Sequence, residues 1–110
     1  MANKVTIHFS QDRIERATYI AETVGFGEVI RTAEYYDSDG RYACQQITDT
    51  GVVVIRNDRN MLVTMYIAEP DQMIEIFHRF GWGRVPVGLW NKVKKNAQKG
   101  YIRRQPNYHH

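Results

Sequence analysis

Residues 28–68 read EVIRTAEYYDSDGRYACQQITDTGVVVIRNDRNMLVTMYIA, four β-rich runs divided by three turn signals. Glu28–Tyr36 is dense in β-branched and aromatic residues, and Asp37-Ser38-Asp39-Gly40 supplies the residue types that reverse a chain. Arg41–Ile47 can return beside the first run, and Asp49-Thr50-Gly51 turns the chain again. Val52–Arg56 is almost continuously apolar and reads as a strand. Asn57-Asp58-Arg59-Asn60 forms the third reversal before Met61–Ala68. The connections are too short for crossovers, so the strands are expected to form an antiparallel meander.

On the N-terminal side, Val5, Ile7 and Phe9 alternate with Thr6 and His8, which predicts a further strand over residues 4–9. Ser10 then has the chemistry of a helix N-cap. Ile14, Ala17, Ala21 and Val24 recur at helical spacing, and Gly25 is placed to end that helix. On the C-terminal side, Pro70-Asp71 opens a short helix with Met73, Ile74 and Phe77 on one face. Gly81-Trp82-Gly83-Arg84 interrupts it. Pro86 starts a second helix, with Trp90, Val93 and Ala97 on its apolar stripe, and Gly100 stops it. The remaining YIRRQPNYHH reads as a polar, mobile tail over 101–110. The expected fold is α+β, a small antiparallel sheet of four or five strands with an N-terminal helix and two short C-terminal helices. All 110 residues belong to one domain.

Composition narrows the setting. Hydrophobic residues make up 43% and charged residues 25%, as in ordinary globular chains. The single cysteine, Cys44, cannot form an internal disulfide, and the opening residues lack the apolar core of a secretion signal. No run approaches the about 20 apolar residues of a membrane span, so a cytoplasmic protein is expected. The net charge of +3 is mild, and no DNA partner is expected from it. Its distribution is uneven: eight basic residues and no acidic one lie between Arg79 and Arg104. Such a segment is either a solvated helix face or the footprint of an anionic partner.

No motif of an enzyme stands out. Glu75 and His78 have the spacing of metal ligands on a helix, but such sites need further ligands from other helices, and none is evident. His8 lies on the polar face of the first predicted strand. Cys44 has no histidine signature near it. No catalytic residue, metal or cofactor is assigned. Gly81–Arg84 is the most informative loop. Its glycines free the backbone to turn amides toward an anion, Trp82 offers a face for a base, and Arg84 a fork for a phosphate. The same residues also make a plain helix-to-helix turn. Phe80, Trp90, Asn91 and Asn96 add two rings and two amides nearby, although rings on helix stripes are more often core. Arg103 and Arg104 could fold over a bound anion from the tail, and Arg31 could reach it from the sheet. Two short helices cannot cover a sheet face and both its edges, so self-association as a homodimer or larger is expected.

The N-terminal KVTIHFSQDRIERA, the hairpin TDTGVVVIRNDRNMLVTMYIA and the closing VPVGLWNKVKKNAQKGYIRR together resemble small proteins of phages and prophages of Clostridia-type bacteria. Among these the layout is most similar to the first described family of Thoeris anti-defence proteins. That resemblance implies a sponge that binds, without degrading, the cyclic ADP-ribose isomer made by a bacterial TIR-domain sensor. The ligand would lie at a dimer interface, and some members form hexamers that also hold cyclic oligonucleotides. A stacking aromatic, arginines on phosphates and an asparagine are implied. Phe80 or Trp82, Arg84, Arg103, Arg104 and Asn91 or Asn96 match by residue type. HFSQDRIERA followed by a strand meander also resembles toxin ribonucleases of the RelE and BrnT type. A third reading is a phage accessory protein that binds a host protein through an edge strand.

Overall fold

The computed structural model describes the backbone of residues 2–107 and the side chains of residues 11–107. The chain runs α1 (Ala2–Thr23), β1 (Val29–Tyr36), β2 (Tyr42–Thr48), β3 (Val52–Arg56), β4 (Leu62–Ile67), α2 (Pro70–Arg79) and α3 (Val87–Gln98). The four strands pair antiparallel in the order β1-β2-β3-β4, so the α+β fold and the meander stand as the sequence predicts. Two of its turns use one device. Asp37 Oδ1 accepts from the amides of Asp39 and Arg41 at 2.9 Å, and Asn57 Oδ1 accepts from those of Arg59 and Met61 at 3.0 Å. A short acceptor side chain thus closes each hairpin at the same end of the sheet.

The predicted strand at residues 4–9 is instead the first part of α1, and Ser10 lies inside that helix. Three alternating apolar residues are a weak instruction. Extending a helix adds one backbone bond per residue without a new nucleus. The helix ends where expected: Gly25, at φ +74°, sends its amide to Ile20 O at 2.8 Å. Its buried face is rotated from the predicted stripe, with Ile20 fully buried and Ile14 58% exposed.

Strand β3 explains the layering. Val53 and Ile55 face a core built with Ile47, Met73, Ile76, Phe77, Leu89 and Val93, which puts α2 and α3 on one face. Val52 and Val54 face the opposite core, where Ile20, Met65, Ile67 and Ile102 meet. α1 and the segment after α3 therefore form the layer on the other face. That segment, read as a mobile tail, carries Ile102 and Gln105, both buried. Gln105 bonds both the amide and the carbonyl of Ile67, at 2.9 and 3.1 Å. Arg16 adds bonds to Pro106 O at 2.8 Å and Asn107 O at 2.6 Å. Burial lowers the Arg16 pKa, opposed by the charge of Asp12.

The turn between β2 and β3 is the joint of the fold. Thr50 Oγ1 donates to Gly25 O at 2.7 Å, Asp49 Oδ1 accepts from Glu28 N at 3.0 Å, and Ala68 N donates to Gly51 O at 3.0 Å. From α3, Asn96 Nδ2 donates to Thr50 O at 3.0 Å. Gly51 is at φ +90°, and a Cβ there would stand 3.0 Å from Asn96 Nδ2 and 3.3 Å from Val93 Cγ2. Asn96 is only 4% exposed, so its amide is a structural pin. Asn96→Ala removes the partner of Thr50 O and is expected to cost about 1–3 kcal/mol. Urea unfolding read by circular dichroism measures that loss; a change near zero would mean that water replaces the amide.

Candidate functional site: the cleft between α2 and α3

The loop between α2 and α3 is shaped by the end of α2. Gly81, at φ +70°, donates its amide to His78 O at 3.1 Å, and Trp82 donates its own to Phe77 O at 2.9 Å. Both amides therefore close the helix C-terminus, which favours the helix-to-helix turn over the anion-facing loop, the two readings that the sequence left open. Pro86 then leads into α3, whose first turn closes from Trp90 N to Pro86 O at 2.8 Å.

Turning the chain this way drives two of the predicted ligand-stacking rings inward. Trp82 meets Phe77 edge-on at 5.2 Å between centroids and Phe80 at 5.1 Å, while Phe80 meets Tyr35 at 5.4 Å. Two arginines close the cluster: the Arg31 guanidinium lies 5.7 Å from the centre of the Phe77 ring, and that of Arg79 lies 5.7 Å from the Phe80 ring. Arg79 is also paired with Glu75, and that bond raises its pKa. Burial raises the Tyr35 and Tyr66 hydroxyls, and Tyr35 donates to Gln45 Oε1 at 3.2 Å. Phe80 and Trp82 thus support each other, and Arg31 joins the cluster through Phe77.

Beside this cluster, α2 and α3 diverge to leave an open cleft of about 750 Å³. Ile74 from α2 and Val85 from the loop give it apolar walls. Trp90 from α3 supplies an indole, and His78 and Arg84 bring two basic side chains. Lys94 Nζ lies 6.0 Å from the Trp90 ring centre, one helical turn along α3. The cleft exists because the apolar stripe of α3 differs from the predicted one. Leu89, Val93 and Asn96 are the buried positions, which releases Trp90 from the core. Ile74 is left 49% exposed because α2 buries Met73, Ile76 and Phe77 instead.

The other predicted residues do not converge here. Asn91 is exposed on α3, and Asn96 is committed to Thr50. Arg103 and Arg104 follow the far end of α3, whose 12 residues put about 18 Å between its ends at ~1.5 Å per residue. Arg104 donates to Lys99 O at 2.8 Å, and its guanidinium lies 5.7 Å from the Tyr101 ring centre, so it caps the helix end. One chain joins Arg84 to Trp90, His78 and Lys94, and separates it from the tail arginines. Sequence reasoning missed Lys94 as a site candidate and ranked Trp90 as core. Their signal was the i, i+4 placement of a cation and an indole in a chain segment without acids. His8 lies in the part of α1 whose side chains are outside the described residues, as do His109 and His110 entirely.

Among the described residues, no group of three or more His, Cys, Asp or Glu side chains is placed to hold a metal ion, and no helix is long and apolar enough to cross a membrane. Fold and cleft define a small α+β protein with an open groove lined by an indole, an arginine and a histidine. Comparison of the chain with family models, curated proteins and solved structures returns no match.

Proposed function

We propose that the protein is a binding protein for a small phosphate-bearing nucleotide, which it sequesters in the α2–α3 cleft without chemical change. The observation that carries this reading is the convergence of Trp90 and Arg84 on one open cleft, with Lys94 held against the indole one helical turn along. Its volume of about 750 Å³ falls in the range of about 300–1,000 Å³ usual for small-ligand sites. A purine can stack on an indole, and an arginine fork can take two phosphate oxygens at once. Ile74 and Val85 would shield the ring, and His78 lines the same cleft. Cyclic ADP-ribose isomers and cyclic oligonucleotides carry both chemistries, base and phosphate, in one compact molecule. Held in this way, an immune signal would be withdrawn from its effector, which is the anti-defence role that the sequence resemblance implies.

The test is capture. The purified protein is incubated with cyclic ADP-ribose isomers and with cyclic oligonucleotides, washed, heated, and the supernatant weighed by mass spectrometry. Ligand returned intact is the expected result. Ligand returned cleaved would make the protein an enzyme of the ribonuclease type, and no capture would remove the nucleotide reading.

A further inference from the structure

The two edges of the sheet are treated differently. On β4 the outward backbone is occupied by side chains. Gln105 pairs with both peptide groups of Ile67, as a neighbouring strand would, and Arg16 Nη1 donates to Met65 O at 3.1 Å. That edge is blocked against strand addition. On β1 the alternation is set by the bond from Asp37 N to Arg41 O at 2.8 Å. Tyr35, Ala33 and Arg31 therefore turn their backbone groups toward β2, and Tyr36, Glu34 and Thr32 turn theirs outward. Among the described residues, none bonds the outward groups of Thr32 or Glu34. β1 has eight residues, VIRTAEYY, with no proline and no lysine to guard it. Val29 and Tyr36 at its two ends are exposed.

We propose that β1 is the docking edge for the β1 of a second copy, antiparallel about a two-fold axis at Ala33, which joins the two sheets into one. Directly opposed residues share a face, so this register sets Thr32 across from Glu34 of the second copy, and Arg31 across from Tyr35 of the second copy. Each Thr32–Glu34 pair exchanges two backbone bonds and places a hydroxyl against a carboxylate. Each Arg31–Tyr35 pair sets a guanidinium against a phenol, as Arg31 already meets Phe77 within the chain. No like charges are directly opposed. The register centred on Glu34 would instead oppose two carboxylates. The strand is therefore complementary to itself, which is why the occupant is a second copy. The inference is independent of the nucleotide reading, since the cleft lies on α2 and α3.

Sedimentation equilibrium over a dilution series is the test. The expected species has twice the chain mass of 12.9 kDa. Thr32→Glu places four carboxylates along the seam and is expected to weaken dimerisation at least about tenfold, whereas Thr32→Lys retains it. Ala33→Cys in a Cys44→Ser background checks the register without relying on charge. Opposed residues of the non-hydrogen-bonded kind have Cα atoms about 4.5 Å apart, inside the span of about 4.4–6.8 Å that a disulfide bridges. Mild oxidation should then trap a covalent dimer. A monomer at every concentration overturns the proposal. So does a dimer that is indifferent to Thr32→Glu and not trapped through residue 33.

Discussion

Phe77→Ala is expected to be the most damaging single substitution in the molecule, costing about 3–5 kcal/mol. Phe77 is completely buried on α2 and sits in the core that joins Ile47 and Val53 of the sheet to Leu89 and Val93 of α3. Truncation leaves a cavity that the backbone of the helix cannot collapse to fill. It also removes the ring on which Trp82 stands edge-on and over which Arg31 lies. Pairs of this kind add about 0.5–1.5 kcal/mol beyond area burial. A domain of this size has only about 5–15 kcal/mol in total, so roughly a fifth or more of its stability goes. Urea unfolding should show the midpoint falling by roughly 2 M, with m near ~2 kcal/mol/M. Trp82 emission should shift to the red in the folded baseline. Phe77→Leu preserves most of the volume and should cost nearer ~1 kcal/mol. A midpoint unchanged by Phe77→Ala would mean that α2 is not held against the sheet.

Those contacts mark where sequence reading succeeds and where it fails. The hairpins were legible because Asp37 and Asn57 carry their own instruction: each side chain bonds amides only two and four residues on. Val52–Arg56 announced a strand through its nearly continuous apolar run, and the structure adds that the strand is packed on both faces. Gly25 declared the end of α1 through a conformation that glycine adopts freely. Helix faces were harder. Trp90 and Ala97 outrank Asn96 on any hydrophobicity scale, yet Asn96 is buried because Thr50, distant in sequence, offers its carbonyl. Gln105 is hidden for the same reason, its partner Ile67 lying far back in the chain. Polar burial is decided by long-range partners, and no local pattern encodes them. The site inherits this error. Phe80 and Trp82 look like ligand platforms in sequence because their mutual stacking is invisible there. Trp90 looks like core in sequence, yet its neighbour Leu89 takes the inward position.

The nucleotide reading makes its strongest demand on Arg84 and Trp90. Arg84→Ala should lower affinity for a captured cyclic nucleotide by about 10- to 150-fold, the loss of a charge-assisted pairing of about 1.5–3 kcal/mol. Trp90→Ala removes a stacking face worth about 1–3 kcal/mol per base. Titration calorimetry on each variant reads both losses. Neither change should disturb the fold much: Arg84 is exposed and Trp90 only half-buried, and exposed substitutions usually stay within about 0.5 kcal/mol. Lys94→Ala should act more weakly and mostly at low salt, because its charge is exposed and screened over about 10 Å at 0.1 M. The contrast lies at the other end of α3. Arg104 is spent on Lys99 O and Tyr101, and Arg103 stands beside it. Arg103→Ala and Arg104→Ala should therefore leave affinity within about twofold, although charge alone would rank them with Arg84. The opposite ranking, tail arginines essential and Arg84 dispensable, would move the ligand off the cleft and toward the C-terminal end of α3. Loss at Arg84 and Trp90 together, with the tail silent, would tie recognition to a base on the indole and a phosphate on the guanidinium of one chain.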